Sequence, residues 1–588
     1  MTESVSESDS KEYHNLKATV QATTDSEIKS PPITVAGNGT TDASDAKPGG
    51  KSSQVELTDQ TQRLPFGRLI VVYLCLAMCF FVSFLDVNST TTALPAIARS
   101  LGISSTITWV GTSYLLAQCA FQVLYGRLAD IFGRKPVLIG CVLSLIIGDI
   151  LCGFAKNGPW LYTCRAIGGI GGGGISSLVQ ITVSDLVSLK ERGKYQGMLS
   201  GAIGLGAGAG PFTSGALVQG HDGRWPWAFW VPAILASLCI PPLVVLLPQK
   251  PVVGSWKEKV RKVDWMGLLT AVTGVLFVLI PVNSGGSVFP WHGSLVITLL
   301  TVGSVLTAFF CLVEWKLTRL PMMPLRLYSS LSRSTLFSQN FLFGFVWQAD
   351  LYFLPIYYQE VRGFAPLKSA YLSLPLLLAQ SLGGVLSAPA MTFTARYMPV
   401  LWLGFVLWTV GAGLKLLFSR TTTIGVYVVA AFVEGAGVGF VFQPSLVALQ
   451  ALSTKADVAV TTSTRNWMRA LGSAVGVAVS TAIQYAVTIS SLPSDLPPDI
   501  ASAVKAGTWT ADGRVPAWNN AVLDAKMRGI NRVFATFLPL IGLCLVGCLW
   551  IRDVPLRGDD DEDKQTSQKR LISRYNELIE MTRRTKRG

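Results

Sequence analysis

The ten residues GRLADIFGRK, at 126–135, form a short charged segment between two long apolar stretches of the chain. Gly126 and Gly133 allow the backbone to turn tightly, because glycine adopts conformations that side chains forbid. Asp130 lies between two arginines, where its carboxylate can pair with either guanidinium or cap the N-terminus of a helix. The segment therefore predicts a tight, charged turn between two apolar helices.

Apolar stretches of this kind recur along most of the chain. Half of the 588 residues are hydrophobic and only 14% are charged, whereas a soluble protein carries about 25% charged residues. Runs of about 20 apolar residues are long enough to cross a hydrocarbon core about 30 Å thick. The sequence predicts an all-α polytopic membrane protein with fourteen transmembrane helices, near 68–91, 106–127, 136–155, 159–184, 197–218, 226–247, 265–283, 294–314, 336–358, 369–393, 398–418, 423–447, 467–490 and 531–551.

The positive charges lie in alternate loops. Basic clusters follow the even-numbered spans, around 127–135, 190–194, 250–262 and 316–333, while loops after odd-numbered spans hold few lysines or arginines. Basic loops remain on the cytoplasmic side of a membrane, so we expect both termini in the cytoplasm. The same pattern accounts for the net charge of +14, so we expect no nucleic-acid partner.

Several stretches resemble the motifs of one transporter family. GRLADIFGRK resembles the signature G-x-L-a-D-r-x-G-r-k of the major facilitator superfamily and joins the same two spans. LDVNSTTTALP at 85–95 and RAIGGIGGGG at 165–174 resemble span 1 and span 4 motifs of its fourteen-spanner drug:proton antiporters. GAIGLGAGAGPFTSG at 201–215 resembles their antiporter motif, through Gly210, Pro211 and Gly215. The chain resembles fungal fourteen-spanner pumps that export toxins, drugs or secondary metabolites.

The resemblance implies the major facilitator fold, in which two six-helix bundles and two central helices give alternating access. It implies that Gly126, Asp130, Gly133 and Arg134 belong to a gating loop that latches the two halves. The antiporter motif is found in exporters and implies outward transport.

On this basis the chain divides into five parts. We expect a disordered cytoplasmic tail, because the first residues are rich in serine, threonine, aspartate, lysine and glycine and lack an apolar core. The five parts are the tail at 1–65; an N-terminal bundle at 66–247; a basic cytoplasmic loop, two central helices and a following loop at 248–335; a C-terminal bundle at 336–552 with an outer loop at 491–529; and a cytoplasmic tail at 553–588.

Two opposite charges lie at similar depth in the predicted membrane. A charged group at mid-membrane costs about 2.5–3.5 kcal/mol on insertion scales, so it is a candidate for function. Asp86 lies roughly 27 Å from the start of span 1, and Arg165 lies roughly 9 Å from the outer end of span 4, at 1.5 Å per residue. Both fall in the outer half, so we predict an ion pair that couples protons to transport. A purely structural pair is the alternative.

Other intramembrane charges carry weaker predictions. Asp350 in span 9 and Glu434 in span 12 lie roughly 21 Å and 16 Å from their span starts. They would meet a cationic substrate or carry a second proton, or else form hydrogen-bonded structural contacts. We expect Lys415 to extend its amine to the outer interface, and Asp149 is a weaker candidate.

Together these features predict a proton-coupled exporter of a toxin, secondary metabolite or drug-like organic compound across the plasma membrane. We expect a monomer in the lipid bilayer that uses the proton gradient, with no cofactor, no metal and no ATP. Its ten cysteines lack metal or redox spacing, and no nucleophile–base constellation suggests an enzyme.

Three alternatives remain open. A siderophore importer or a vacuolar carrier of basic amino acids would share the fold, and the latter would place the chain in the vacuolar membrane. A membrane receptor that transports nothing is a different class of function, and it predicts that Asp86 and Arg165 are dispensable for accumulation of substrate.

Overall fold

The computed structural model describes residues 64–103, 106–218, 224–248, 255–284, 292–316, 318, 320–505, 509 and 516–556. The predicted tails at 1–65 and 553–588 lie almost entirely outside the described residues. Part of the predicted outer loop at 491–529 lies outside them as well.

The described residues form seventeen α-helices and no strand. In chain order the helices are α1 Phe66–Leu101, α2 Trp109–Gln122, α3 Leu124–Phe132, α4 Arg134–Gly153, α5 Gly158–Leu186, α6 Leu189–Val218, α7 Trp227–Leu246, α8 Trp256–Lys262, α9 Trp265–Ser284, α10 Ser294–Lys316, α11 Leu331–Ile356, α12 Pro366–Thr394, α13 Met398–Lys415, α14 Ile424–Ala451, α15 Val458–Ser490, α16 Pro498–Lys505 and α17 Pro516–Gly547. The predicted all-α fold class is confirmed.

Local sequence signals set several helix ends. The α1 helix ends at Gly102, which adopts a left-handed φ of 66°, a conformation that glycine takes without steric cost. The α5 helix begins after Asn157, whose side-chain oxygen accepts a hydrogen bond of 2.9 Å from the backbone N–H of Trp160. Pro159 occupies the first turn of α5, where a missing N–H costs nothing.

Eleven of the described helices are long and apolar enough to cross a membrane. The other three predicted spans correspond to α2 followed by α3, to α6 and to α11. The helix of span 2 is interrupted near Val123, so neither α2 nor α3 is long enough alone. The many glycines of α6 and the polar side chains of α11 lower the mean hydropathy of these two helices. The order of the helices fits fourteen spans, and that count stays a prediction.

Helices pack mainly within each half of the chain. In the first half α1 packs on α6 and α7, and α5 packs on α2 and α4. In the second half α14 packs on α12 and α13, and α11 packs on α15. The central helices α9 and α10 pack on each other, and α9 also contacts α2 and α15. The domain boundaries given above stay predictions.

Small residues bring the two halves together along α6 and α12. A Cβ atom added to Gly197 would lie 2.6 Å from the Cβ of Ala388, and one added to Gly204 would lie 1.8 Å from the Oγ of Ser381. We call this contact, between 193–204 of α6 and 381–391 of α12, the inner seam. It lies on the side where α1 begins, which is the predicted cytoplasmic side and is called the inner side below.

Polar side chains join the halves at the same depth. Asn466 Nδ2 of α15 donates to Gln180 Oε1 of α5 at 2.9 Å, and Ser184 Oγ of α5 donates to Gln450 Oε1 of α14 at 3.0 Å. Farther out along α6, a Cβ added to Gly208 would meet no described atom within 4 Å. The halves are therefore closed on the inner side.

Candidate functional site

Three charged side chains meet inside the first half. Arg165 Nη1 of α5 lies 2.8 Å from Asp86 Oδ1 of α1 and 3.4 Å from Asp149 Oδ1 of α4. All three side chains are almost fully buried, at 1% exposure or less. The structure thus brings together the predicted pair, and it adds Asp149 as a second carboxylate. We call these three residues the first cluster.

The glycine run of α5 makes this approach possible. A Cβ added to Gly169 would lie 2.2 Å from the backbone oxygen of Tyr114 in α2. One added to Gly148 of α4 would lie 2.5 Å from the backbone nitrogen of Gly168 in α5. Small residues allow helices to pack this closely in lipid, so the glycines bring Arg165 within reach of both neighbouring helices.

Arg165 is also held by aromatic rings and a carbonyl. Its guanidinium carbon lies 4.4 Å from the ring centroid of Tyr114 and 5.4 Å from that of Phe229. Its Nε donates to the backbone oxygen of Val110 at 3.4 Å. The Oδ2 atoms of Asp86 and Asp149 have no hydrogen-bond partner among the described residues. Each carboxylate therefore keeps one oxygen that can accept a proton.

A second group of buried charges lies in the other half. Lys415 Nζ of α13 forms an ion pair with Asp350 Oδ1 of α11, and it lies 2.6 Å from Glu434 Oε2 of α14. Trp408 Nε1 donates to Glu434 Oε1 at 3.1 Å. We call Lys415, Asp350 and Glu434 the second cluster.

The expectation for Lys415 was wrong. Its side chain is 1% exposed and does not extend to the membrane surface. Two carboxylates from neighbouring helices face its amine, and the ring centroids of Phe534 and Phe537 lie 5.2 Å and 5.7 Å from it. Pairing with two acids outweighs the benefit of reaching water.

The gating segment is more helical than expected. The α3 helix continues to Phe132, so the chain turns only at Gly133, where φ is 98°. Gly126 lies inside α3 and lets it pack closely, because an added Cβ would lie 2.8 Å from the backbone oxygen of Ala459 in α15. Asp130 caps no helix and instead pairs with Arg134 at 2.5 Å.

Side chains of this segment also contact the end of α5 in the first half and the stretch that leads into the second half. Arg134 Nε lies 2.8 Å from Asp185 Oδ2 at the end of α5. Arg127 Nε donates to the backbone oxygen of Pro321 at 2.6 Å, in the segment that leads from α10 into the second half. The contacts fit a latch, and the gating role stays a prediction.

The segment at 321–326 is fixed from several directions. The two carboxylate oxygens of Glu314 in α10 accept the backbone N–H groups of Met322 and Met323, each at 3.0 Å. Arg326 Nη2 donates to Asp457 Oδ1, at the start of α15, at 2.7 Å. We call 321–326 the connecting segment.

The antiporter motif packs against α1 close to the first cluster. A Cβ added to Gly210 would lie 2.8 Å from the backbone nitrogen of Ser89, one turn beyond Asp86. Gly215 faces Thr92 of α1, and Pro211 lies within α6. The motif therefore sets the distance between α6 and the helix that carries Asp86.

Known proteins match most of this chain. The family model of the Major Facilitator Superfamily matches residues 76–477. Citrate exporter 1 of Yarrowia lipolytica is 37% identical over 526 residues, which cover 89% of this chain and 77% of that exporter. The chain belongs to the major facilitator superfamily. It is therefore a multi-pass membrane protein of a transporter family.

Other relatives within the superfamily are also fungal transporters. MFS-type transporter clz4 of Cochliobolus lunatus is 34% identical over 527 residues, covering 87% of this chain and 94% of clz4. Efflux pump dotC of Dothistroma septosporum is 33% identical over 410 residues, covering 70% of each chain. The predicted resemblance to fungal efflux pumps is confirmed.

Solved structures support the fold. A bacterial homologue of the human lysosomal transporter Spinster, in an inward-facing conformation, has a TM-score of 0.53 at 15% identity and covers 83% of this chain and 98% of its own. The human organic anion transporter MFSD10 has a TM-score of 0.52 at 15% identity and covers 83% and 100%. At this identity the likeness shows the major facilitator fold alone.

Two arginines near the centre of the transporter were missed in the sequence. Arg465 and Arg469 lie on consecutive turns of α15, which begins at Val458 rather than at the predicted residue 467. The earlier start places Arg465 inside the helix, where it is fully buried. A correct helix start, signalled by the polar turn STKAD before it, would have placed Arg465 within the span that already contained Arg469.

The hydrogen-bond acceptors of Arg465 among the described residues are all neutral. Its Nε donates to Asn340 Oδ1 at 2.7 Å, its Nη1 to Asn466 Oδ1 at 2.9 Å, and its Nη2 to Ser445 Oγ at 3.3 Å. Its guanidinium lies 4.6 Å from the ring centroid of Phe442. The positive charge is therefore hydrogen-bonded but not neutralised by a described carboxylate.

Arg469 contacts the same aromatic ring. Its guanidinium is 5.2 Å from the centroid of Phe442, and its Nε has no hydrogen-bond partner among the described residues. Phe442 also lines a small cleft between α6, α12 and α14. The other residues that line the cleft are Ser200, Ile203, Gln380, Ser381 and Gly439.

Proposed function

We propose that this transporter exports an organic anion across the plasma membrane and is driven by protons that bind the first cluster. The observation that carries the proposal is the burial of two carboxylates, Asp86 and Asp149, around a single cation, Arg165. The fungal relatives named as exporter and efflux pump support the outward direction.

Charge balance explains why the first cluster would take up a proton. Two carboxylates and one guanidinium carry a net charge of −1 when both acids are ionised. Adjacent carboxylates that share a site do not readily ionise together, and an uncompensated charge in the membrane is costly. One proton makes the cluster neutral, and losing it requires access to water.

Alternating access would couple this proton to transport. The outward-open conformation would expose the cluster to protons outside the cell. The inward-open conformation would release these protons to the cytoplasm. A charge that crosses 100 mV releases about 2.3 kcal/mol, which supports roughly a 50-fold gradient. No ATP and no cofactor enter this cycle, in which a monomer is sufficient.

Arg465 and Arg469 support an anionic substrate. They place two positive charges on consecutive turns of α15, and neither forms an ion pair with a described carboxylate. Guanidinium groups bind carboxylates through paired, charge-assisted hydrogen bonds. The relative named as a citrate exporter makes citrate the first probe for this class of substrate.

The same two arginines argue against the vacuolar carrier of basic amino acids, because a cationic substrate would be repelled. They are compatible with a ferric siderophore carrier only if the complex is anionic. Uptake of citrate into inside-out vesicles separates an exporter from an importer by its direction. A receptor predicts no uptake at all.

Asp86→Asn is expected to reduce the accumulation of radiolabelled citrate about tenfold for an imposed difference of one pH unit. The variant would carry one proton fewer per cycle, and one pH unit is worth 1.36 kcal/mol per proton. The measurement uses inside-out vesicles at zero membrane potential, with a lumen that is one pH unit more acidic than the medium. Both buffers are alkaline, so that citrate stays ionised on each side. Asp553→Asn, at a partly exposed pair with Arg396, is the control. Equal accumulation in wild type and Asp86→Asn contradicts the role of this cluster.

Arg469→Gln is expected to raise the KM for citrate about 10- to 100-fold, because a hydrogen bond to a charged group contributes about 1.5–3 kcal/mol. Initial rates of citrate uptake measure this. Arg396→Gln, which removes an arginine that is 60% exposed, is the matched control. An unchanged KM in Arg469→Gln rules out this arginine as part of the substrate site.

A further inference from the structure

The two buried clusters occupy equivalent helices of the two halves. The first cluster lies on α1, α4 and α5, which are the first, third and fourth membrane helices of the first half when α2 and α3 count as one. The second cluster lies on α11, α13 and α14, which are the first, third and fourth of the second half. The two clusters use equivalent helices but not equivalent residues, because the cation lies on the fourth helix of the first half and on the third helix of the second half.

The cation and one of the two acids lie on different helices in the two halves, but the net charge of the two clusters is the same. Asp86 and Asp350 are acids on the first helix of each half. The cation is Arg165 on the fourth helix of the first half and Lys415 on the third helix of the second half. Each cluster contains two carboxylates and one cation, so each carries one carboxylate in excess. The argument from charge balance therefore applies to both.

The second cluster is sealed from water as completely as the first. Its titratable neighbour is the hydroxyl of Tyr358, which interacts with both acids and has no hydrogen-bond partner among the described residues. The α17 helix covers the cluster with the rings of Phe534 and Phe537. The α12 helix meets α14 here through uncharged Leu376 and Ala379. No described cation besides Lys415 lies within 4 Å of the two acids.

We propose that the second cluster is a second proton-binding site, so that each transport cycle carries two protons, one through each half. This inference rests on the proposed function. Asp350 Oδ2 has no hydrogen-bond partner among the described residues, so the cluster keeps a carboxylate oxygen that is free to accept the proton. Lys415 positions both acids and does not itself bind the proton.

Asp350→Asn tests the site because it removes the excess acid and leaves a balanced pair of Lys415 and Glu434. Wild-type vesicles are expected to accumulate citrate about 100-fold per pH unit at zero membrane potential, since each proton supports a tenfold gradient. Asp350→Asn and the matched variant Asp149→Asn are each expected to accumulate it about tenfold. The double variant is expected to equilibrate citrate without accumulation.

A second measurement needs no substrate. Infrared spectra of the purified protein in water and heavy water count protonated carboxyl groups, and we expect one fewer in Asp350→Asn and one fewer in Asp149→Asn than in wild type. Glu434→Gln leaves a balanced pair of Lys415 and Asp350, so it replaces Asp350→Asn if that variant does not fold.

The outcomes separate this inference from the proposed function. If Asp350→Asn or Glu434→Gln keeps the wild-type citrate gradient and the wild-type number of protonated carboxyls, the second site is overturned. If wild type shows no citrate accumulation driven by pH, the proposed function fails. The infrared count then still decides whether the second cluster holds a proton.

Discussion

Replacing Arg165 with glutamine is expected to lower transport of citrate at least a hundredfold and to reduce the amount of folded protein in the membrane. The change leaves Asp86 and Asp149 facing each other with no cation within 4 Å among the described residues. Removing one partner of a buried ion pair costs about 3–5 kcal/mol. Thermal unfolding in detergent and initial uptake rates in vesicles measure the two effects.

Two control variants separate charge from packing at this position. Arg165→Lys keeps the positive charge but loses the planar group that contacts both acids and the ring of Tyr114, so we expect partial recovery of stability. Arg165→Gln combined with Asp86→Asn removes one charge of each sign, and we expect it to fold better than the single variant without recovering proton coupling. Normal transport by Arg165→Gln alone would show that the cluster is dispensable.

Gly197→Leu is expected to lower net export roughly 5- to 150-fold by favouring the conformation in which the inner side is open. A Cβ at this position would already lie 2.6 Å from Ala388 Cβ and 2.9 Å from the backbone oxygen of Gly384. Overpacking of this kind costs about 1–3 kcal/mol, and the cost falls only on the conformation in which the inner seam is closed. The balance between conformations would shift by a factor of roughly 5–150 toward the inward-open form.

Labelling of a single cysteine measures this shift. Ser200 is 4% exposed beside the inner seam, so Ser200→Cys in a variant without native cysteines reports access from the inner side. We expect faster reaction with a membrane-impermeant thiol reagent when Gly197→Leu is added. Gly208→Leu is the control, because a Cβ there meets no described atom within 4 Å. Equal labelling rates in the two variants would contradict the role of the seam.

The sequence predicted the first ion pair because depth can be counted along a helix. Asp86 and Arg165 fall at similar depths at 1.5 Å per residue, and family motifs placed both on helices of one half. The same counting cannot show which faces of two helices meet. For this reason Asp149 was ranked low, although it lies 3.4 Å from Arg165.

The errors in the second half have the same origin. Lys415 lies at the end of α13, which suggested a side chain that reaches the interface, but the acids of α11 and α14 converge on it. Arg465 was assigned to a loop because the predicted span 13 began where the apolar residues begin. The backbone hydrogen bonds of the helix begin earlier, at Val458. An apolar pattern does not detect polar helical turns at the ends of spans, and here such a turn carries the buried Arg465.

The connecting segment has a mechanical consequence. Arg127 of the first half, Glu314 of α10 and Asp457 of the second half all bind this stretch of six residues. A segment of six residues that is bound at three points cannot act as a flexible linker between the two halves. A rotation of one half against the other would therefore have to break one of these three contacts or carry the segment with it.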